Sequence, residues 1–386
     1  MIIISALDNS GQLYGADLIT CIKQRLPNET FTGIGAKDLS QAGCHLIHDI
    51  SDSSAMLTGI LGALKWAVPA FRKLKKLIKS GQVKLVILID SPTFNLPLAK
   101  LAKKHNIKTL YYIAPQTWAW AEFRTKKIKK RVDKLAVILP FEQQYFKAHG
   151  IDAEFVGHPF IPRIKNNVPD SELVEKLKNI TSYKLLILPG SRNHVIKELL
   201  PTQLEIIKII KSELPDTNIF IAAWPPAIET IKKLVTSANL TYEQNNISCS
   251  SETIKIFTEK HNALMSACDL AIAASGSATL ELAYYSCPMI ITYNASKLLY
   301  HLIGKHLIKT PYLSIINILA KRQIVPEFMP YIKSPDNVAQ QALTLLKNPK
   351  ITEKMKSELK SLISSLETPY LPAERTAELA LRLIQN

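Results

Sequence analysis

The residues of this chain that could do chemistry sit where apolar runs end. The run Val86-Ile87-Leu88-Ile89 stops at Asp90 and continues as Ser91-Pro92-Thr93-Phe94-Asn95. A carboxylate at the carboxyl tip of a buried strand stands where it can take a proton from an attacking hydroxyl. Aspartate is also a favoured helix N-cap, and the spacing leaves both roles open. A second run ends in Leu188-Pro189-Gly190-Ser191-Arg192. Gly190 and Ser191 can offer backbone N–H groups and Arg192 a bidentate guanidinium to a phosphate; the alternative is an ordinary surface turn. A third run, Leu270 to Ala273, leads into Ala274-Ser275-Gly276-Ser277-Ala278-Thr279-Leu280-Glu281. Small residues predict a tight turn and a helix start at about Thr279, so N–H groups and a positive helix end face whatever lies above the sheet. Glu281, on the first helical turn, can accept from a ribose diol. Such a pocket suits a nucleotide. Its late position points to a sugar-nucleotide transferase, because a dinucleotide dehydrogenase carries its glycine-rich turn after the first strand. Small residues also serve close packing, so a plain strand-to-helix turn fits the same letters.

Other segments carry two readings each. In Ala114-Pro115-Gln116-Thr117-Trp118-Ala119-Trp120 two indoles flank one alanine; one of them faces a cleft or a membrane, or both pack in the core. His158, between Gly157 and Pro159, contacts substrate or satisfies a backbone partner near a hinge. The stretch AVPAFRKLKKLIK (67–79) puts Ala67, Phe71, Leu74 and Ile78 on one helical face and Arg72, Lys73, Lys76 and Lys79 on another. With Trp66 and the apolar Met56–Val68 region beside it, this reads as an amphipathic helix for a membrane interface. RTKKIKKR (124–131) also attracts anions, and a solvated helix face accounts for either stretch.

The elements that must hold these residues alternate. Strands are predicted at Ile2–Ala6, Leu85–Ile89, Thr109–Ile113, Leu135–Leu139, Leu185–Leu188, Ile219–Ala223, Leu270–Ala273 and Met289–Tyr293, with amphipathic helical stretches between them. Several strands are apolar without alternation, as when helices cover both faces. The repeated β-α order predicts an α/β fold of doubly wound parallel sheets, with active sites beyond the strands' carboxyl ends. Proline-rich PFIPRIKNNVP (159–169) reads as a linker. A last helix, Ala373–Ile384, follows the proline-containing Thr368–Pro372 and reads as crossing back onto the first domain.

A chain of 386 residues, 47% hydrophobic with a mean hydropathy of +0.06, is long enough for two domains. No apolar run approaches the roughly 18–20 residues of a membrane span. Met1 to Leu7 reads as a first strand, without the basic start or cleavage site of a signal peptide. The five cysteines are scattered, with no Cys-x-x-Cys pair, which argues against a disulfide framework or a zinc site and for a cytoplasmic location. A net charge of +16 suits nucleic acid, an anionic membrane or anionic substrates, or reflects lysine-rich composition alone. No nucleic-acid-binding signature accompanies it.

Taken in order, IDSPTFN (89–95), PQTWAW (115–120), ILPFE (138–142), FVGHP (155–159), LPGSR (188–192), ASGSATLE (274–281), CPMIITY (287–293) and NILA…VPE (317–327) span nearly the whole chain. Together they resemble the lipid-A-disaccharide synthase family, inverting glycosyltransferases of the GT-B type. The resemblance implies two Rossmann-like doubly wound parallel-sheet domains facing a central cleft: residues 1–165 on the acceptor and membrane side, residues 166–365 binding the UDP-sugar, and a C-terminal helix in 366–386. It implies transfer from UDP-2,3-diacylglucosamine to 2,3-diacylglucosamine 1-phosphate (lipid X), without metal or cofactor. Asp90 and Arg192 become the catalytic candidates. Gly190, Ser191, Ser275, Gly276, Ser277, Ala278, Thr279, Glu281 and Asn317 become UDP-sugar contacts, and Ser10, Gly11, Asn95, Trp118 and His158 acceptor-side residues. Anionic lipids at the inner face of the cytoplasmic membrane are the expected partner of Trp66, Phe71, Arg72, Lys73, Leu74, Lys76 and Ile78; nucleic acid is not, and a homodimer stays open. Rival readings are another GT-B enzyme using UDP-N-acetylglucosamine, transferase or epimerase, and a non-catalytic UDP-sugar or membrane-binding protein.

The chain departs from the family pattern mainly on the acceptor side. Where the family has Glu before Ser-Gly-Asp and then His, this chain reads Asp8-Asn9-Ser10-Gly11-Gln12-Leu13-Tyr14. Thr93 replaces the second Asp of the strand-tip motif, and Met56 to Ile60 replace a Met-Gly segment with its glutamate. Val195 stands for an acid after LPGSR, and Lys321 for a glycine. Asp8, Asn9 and Gln12 are all open as substitutes for the missing acidic groups.

Overall fold

The computed structural model describes residues 1–50, 59–119, 122–246, 251–294 and 310–385. The predicted segment 56–58 and Trp120 lie outside these. Two compact units emerge: Met1–Pro162 with Leu366–Asn386, and Arg163–Ser365.

The first unit is built on seven parallel strands: β1 (Ile2–Ala6), β2 (Phe31–Gly35), β3 (Cys44–Asp49), β4 (Leu85–Ile89), β5 (Lys108–Tyr112), β6 (Lys134–Val137) and β7 (Ala153–Phe155), in the order β3-β2-β1-β4-β5-β6-β7. Successive side chains point to opposite faces, and both faces are covered. Val86 and Leu88 meet Ala70, Leu74 and Ile78 of the Gly59–Lys79 helix, Leu96 to Ala102 of the Pro92–Lys104 helix and Ile128 of the Phe123–Arg131 helix. Leu85, Ile87 and Ile89 meet Leu18, Ile19 and Ile22 of the Asn9–Arg25 helix and Ala377, Leu379 and Ala380 of the Pro372–Gln385 helix. That last helix is held further by Arg375 on Glu154 at 2.6 Å.

The second unit repeats the plan with β8 (Lys184–Leu188), β9 (Asn218–Ala222), β10 (Tyr242–Gln244), β11 (Ile254–Phe257), β12 (Leu270–Ala274), β13 (Met289–Thr292) and β14 (Glu327–Phe328), all parallel, ordered β10-β11-β9-β8-β12-β13-β14. The proline-rich segment after Pro159 is not an irregular linker. Residues Phe160–Asn166 form a helix, with Pro162 near its start where a missing N–H is tolerated.

Each sheet has one place where strand order reverses. In the first unit the chain winds outward from β1 through β2 to β3, then crosses to β4 beside β1. In the second it winds from β8 outward and then crosses to β12 beside β8. In such sheets ligands bind outside the carboxyl ends of the strands at the place where strand order reverses. Asp90 follows β4 of the first pair; the 188–192 and 274–281 turns follow both strands of the second.

Candidate functional site

At the β1/β4 reversal the chain makes an unusual bend. Asp90 and Ser91 both adopt left-handed backbone conformations, φ +46° and +45°. For residues with a Cβ this costs roughly 1–3 kcal/mol each, and surrounding bonds must hold it. They are present. The Asn95 amide donates to the carbonyls of Ile89 at 3.0 Å and Asp90 at 2.8 Å, and the Tyr111 hydroxyl donates to the Asp90 carbonyl at 2.5 Å. The Ser91 hydroxyl donates to the Asp8 carboxylate at 2.6 Å. Burial, with the Asp8 charge second, pushes the Asp90 carboxyl up to about 6, against the pull of the Ser91 N–H. A carboxylate with that affinity is ionised at neutral pH and basic enough for general-base work.

The other first-unit candidates divide. Ser10 is exposed on the first turn of the 9–25 helix. Gly11 is buried, and a Cβ there would stand 3.2 Å from Ile89 Cγ2, so the glycine lets the helix start lie against the β4 tip. Asn95 is fully buried; it braces the bend and is not an acceptor contact. Half-buried Trp118 donates its indole N–H to Glu142 at 2.9 Å. Glu142, fully buried, also accepts the N–H groups of Ile138 and Leu139, and burial pushes its carboxyl up to about 7. Trp118 thereby ties the loop after β5 to the loop after β6. His158 is likewise no surface contact. It is 8% exposed, its Nδ1 accepts the Phe160 N–H at 3.3 Å, and burial pushes it down to about 4, so it stays neutral and shapes the turn into the 160–166 helix.

In the second unit the two turns lie side by side, because Leu188 of β8 pairs with Ala273 of β12. Gly190 has φ +103°, and a Cβ on it would meet Val195 at 3.2 Å and Ala274 at 3.6 Å. Exposed Ser191 and Arg192 then lead into the Asn193–Glu213 helix, whose N-cap is Arg192 itself in extended conformation. The first N–H groups of this helix, like those that open the Ala278–Tyr284 helix, lack intrahelical partners and lie beyond the strands' carboxyl ends. The 275–281 turn is partly self-satisfied. Thr279, 1% exposed, bonds its hydroxyl to the Gly276 carbonyl at 2.7 Å, and the N–H of Glu281 bonds to Ser277. Among the described residues the N–H groups of Gly276, Ser277 and Ala278 donate to no carbonyl. Glu281 is half-buried, and burial raises its carboxyl.

Two expectations are corrected. Asn317 is not a UDP-sugar contact. It is fully buried, with Nδ2 on the Val325 carbonyl and Glu327 at 2.9 Å each and Oδ1 accepting from Ile324 and Val325. Glu327 in turn accepts the N–H groups of Leu313 and Ser314. A side chain so saturated clamps one loop to another. Leu74 and Ile78 are not lipid-facing either: they are 0% and 2% exposed, and with Ala70 they pack on the sheet. Phe71 is half-buried edge-on to Phe94, and Trp66 stacks on His48 and Phe94. Arg72, Lys73, Lys76 and Lys79 stay exposed. The sequence assigns no role to Ser91 or Glu142, although each lies within a quoted motif, IDSPTFN (89–95) and ILPFE (138–142). No helix among the described residues is long and apolar enough to cross a membrane.

Comparison with known proteins agrees with this layout. Among solved structures, the S. aureus MnaA–UDP co-structure superposes with a TM-score of 0.65 at 10% identity, covering 100% of this chain and 98% of that one. MurG of Acinetobacter baumannii gives 0.59 at 14%, covering 99% of each; such likeness fixes the fold as GT-B. Curated relatives are much nearer in sequence. A lipid-A-disaccharide synthase of Syntrophus aciditrophicus is 33% identical over 100% of this chain and 98% of its own length, and one of Trichlorobacter lovleyi 34% over 90% and 88%. The profile of the family described as lipid-A-disaccharide synthetase matches residues 2–379. With that match running almost end to end, the chain belongs to the lipid-A-disaccharide synthetase family.

Proposed function

We propose that this glycosyltransferase makes the lipid A disaccharide with Asp90 as its general base. UDP-2,3-diacylglucosamine is the donor and 2,3-diacylglucosamine 1-phosphate the acceptor. Asp90 takes the proton of the acceptor 6-hydroxyl as its oxygen attacks the anomeric carbon from the face opposite UDP. The carbon–oxygen bond to the diphosphate breaks, the configuration inverts, and β-1,6-linked disaccharide 1-phosphate and UDP leave. Arg192, the N–H groups opening the 193–213 helix and those of Gly276 to Ala278 stabilise the departing diphosphate. Glu281 holds the ribose. The observation that carries the reading is Asp90 itself: a half-buried carboxylate held in a strained bend at the strand-order reversal, with an affinity suited to proton removal. The test is turnover of wild type and Asp90→Asn with both acyl-sugars in detergent. Disaccharide and UDP from wild type, with a collapsed rate in the variant and intact donor binding, supports it; full turnover by folded Asp90→Asn overturns the base.

The lipid partner belongs to the same proposal, on a different basis from an apolar helix face. The 59–79, 92–104 and 123–131 helices cover one face of the first sheet, and they carry six, three and six lysines and arginines and no acidic residue. Phe123, 58% exposed beneath Arg124 and Lys127, and exposed Val68 add apolar anchors. A cationic layer of this kind suits an anionic leaflet, with roughly 1 kcal/mol per lysine or arginine near the surface. We infer peripheral docking through this face on the inner surface of the cytoplasmic membrane, where both acylated substrates reside.

A further inference from the structure

The bend at Asp90 has a neighbour that the reaction as described does not use. β1 and β4 run side by side with Ala6 opposite Ile89. Two residues beyond that pair, Asp8 and Ser91 meet through the 2.6 Å bond from the Ser91 hydroxyl to the Asp8 carboxylate. We propose that Asp8, anchored by Ser91, is the positioning residue that sets the electrostatic surroundings of Asp90. The proposal rests on Asp90 being the general base.

Three residues were open as substitutes for the family's acids at this turn. Gln12 and Asn9 are amides and bring no charge, and Gln12 is 2% exposed. Asp8 brings a carboxylate and has a fixed partner. The groups that face Asp90 come from each packed element: Asp8 and Ser91 from the two strand tips, the Tyr111 hydroxyl from β5 and the Asn95 amide from the 92–104 helix. Arg124 of the 123–131 helix acts on the Tyr111 hydroxyl. Tyr111 and Asn95 bond the Asp90 carbonyl, leaving its carboxylate to the charge of Asp8 and the N–H of Ser91. A fixed negative charge beside a half-buried carboxylate makes that carboxylate hold its proton more tightly, which suits removal of a proton from a sugar hydroxyl. Ser91 enforces the arrangement by giving its hydroxyl to Asp8 and its backbone N–H to Asp90, from a left-handed backbone conformation.

The experiment is the pH profile of kcat/KM for wild type, Asp8→Asn, Asp8→Glu and Ser91→Gly, with folding checked by thermal denaturation. Wild type should lose activity below about 6, the value to which Asp90 is pushed. In Asp8→Asn the acid limb should move to lower pH by a few tenths of a unit up to about one unit, because burial is the larger cause and persists. The plateau should fall several-fold as the base weakens. Asp8→Glu should return the limb toward wild type. Ser91→Gly, which tolerates the positive φ, should move the limb the same way by less, and the double variant no further than Asp8→Asn. An unshifted acid limb in folded Asp8→Asn overturns the proposal whether activity is kept or lost, since a merely structural Asp8 changes rate without moving the limb. If Asp8→Asn does not fold, an unshifted limb in Ser91→Gly overturns it. Full turnover by Asp90→Asn is a separate failure, of the base itself.

Discussion

Asp90→Asn should stabilise the protein at neutral pH while abolishing its activity. The Asp90 carboxyl is pushed up to about 6 from an ordinary 3.8 by burial and by Asp8. Folding therefore raises its proton affinity, so between roughly pH 4 and pH 6 the native state binds more protons than the unfolded chain. Stability from this group is intact below about pH 4, is lost as pH rises through that window, and stays lost above it. At 1.36 kcal/mol per unit, the two-unit displacement is worth about 3 kcal/mol at most by pH 8. Asparagine has no charge to desolvate, is nearly the same size, and is among the residues most tolerant of positive φ, so the bend at +46° survives. The assay is urea or thermal unfolding of both proteins from pH 4 to pH 8. The advantage of Asp90→Asn should be near its minimum at pH 4 and grow by about 2–3 kcal/mol by pH 8, or several degrees in a domain of this size. An advantage that is flat with pH, or that shrinks as pH rises, would falsify the view that the bend stores a poorly solvated charge for catalysis.

Four further outcomes follow from the geometry. Leu74→Ser should cost about 3–4 kcal/mol by cavity formation in the sheet-facing core and lower Tm, with vesicle binding per folded molecule unchanged. Joint Arg72→Glu, Lys73→Glu and Lys76→Glu should keep Tm nearly constant and weaken co-sedimentation with phosphatidylglycerol vesicles in a salt-dependent way; the reverse pattern would put the apolar face back in the lipid. Gly190→Ala should strain the φ +103° turn and press Val195, weakening UDP binding at least several-fold by calorimetry, and an unchanged affinity would remove the turn from the donor site. Asn317→Ala should leave the Ile324 and Val325 N–H groups and Glu327 short of partners and cost about 2–4 kcal/mol with UDP affinity kept. Lost affinity at full stability would return the amide to the nucleotide.

The eight strands read from sequence are all present, because fully apolar five-residue runs such as LVILI (85–89) have few alternatives once turn residues bound them. The strands that were not read are the short or polar ones. β2 is FTGIG, with Gly33 beneath the Ile4 carbonyl where no Cβ fits; β3 carries two histidines; β7 spans three residues. Those owe their conformation to pairing with stronger neighbours, and pairing is not written locally.

The candidate site divides along the same line, between what one segment decides alone and what a distant segment decides for it. Asp90, Gly190, Ser191, Arg192 and Glu281 could be singled out because each follows a strong apolar run, and within each sheet the reversal of strand order puts such strand ends where ligands bind. Asn317 and Leu74 were misread because a saturated amide and a core-facing leucine look, in sequence, like a ligand contact and a membrane anchor. Asn317 depends on a loop seven to ten residues later, and Leu74 on strands that arrive after its helix is complete. An amphipathic pattern shows that a face is apolar and says nothing of what covers it. The Asp90–Ser91 bend is the extreme case. Its two positive φ angles are unfavourable for both residues, and they persist only because Asn95, Tyr111 and Asp8 reach it from three different elements. Local preference and tertiary structure disagree over two successive residues at the carboxylate assigned the chemistry, as expected where a fold keeps a costly conformation for function.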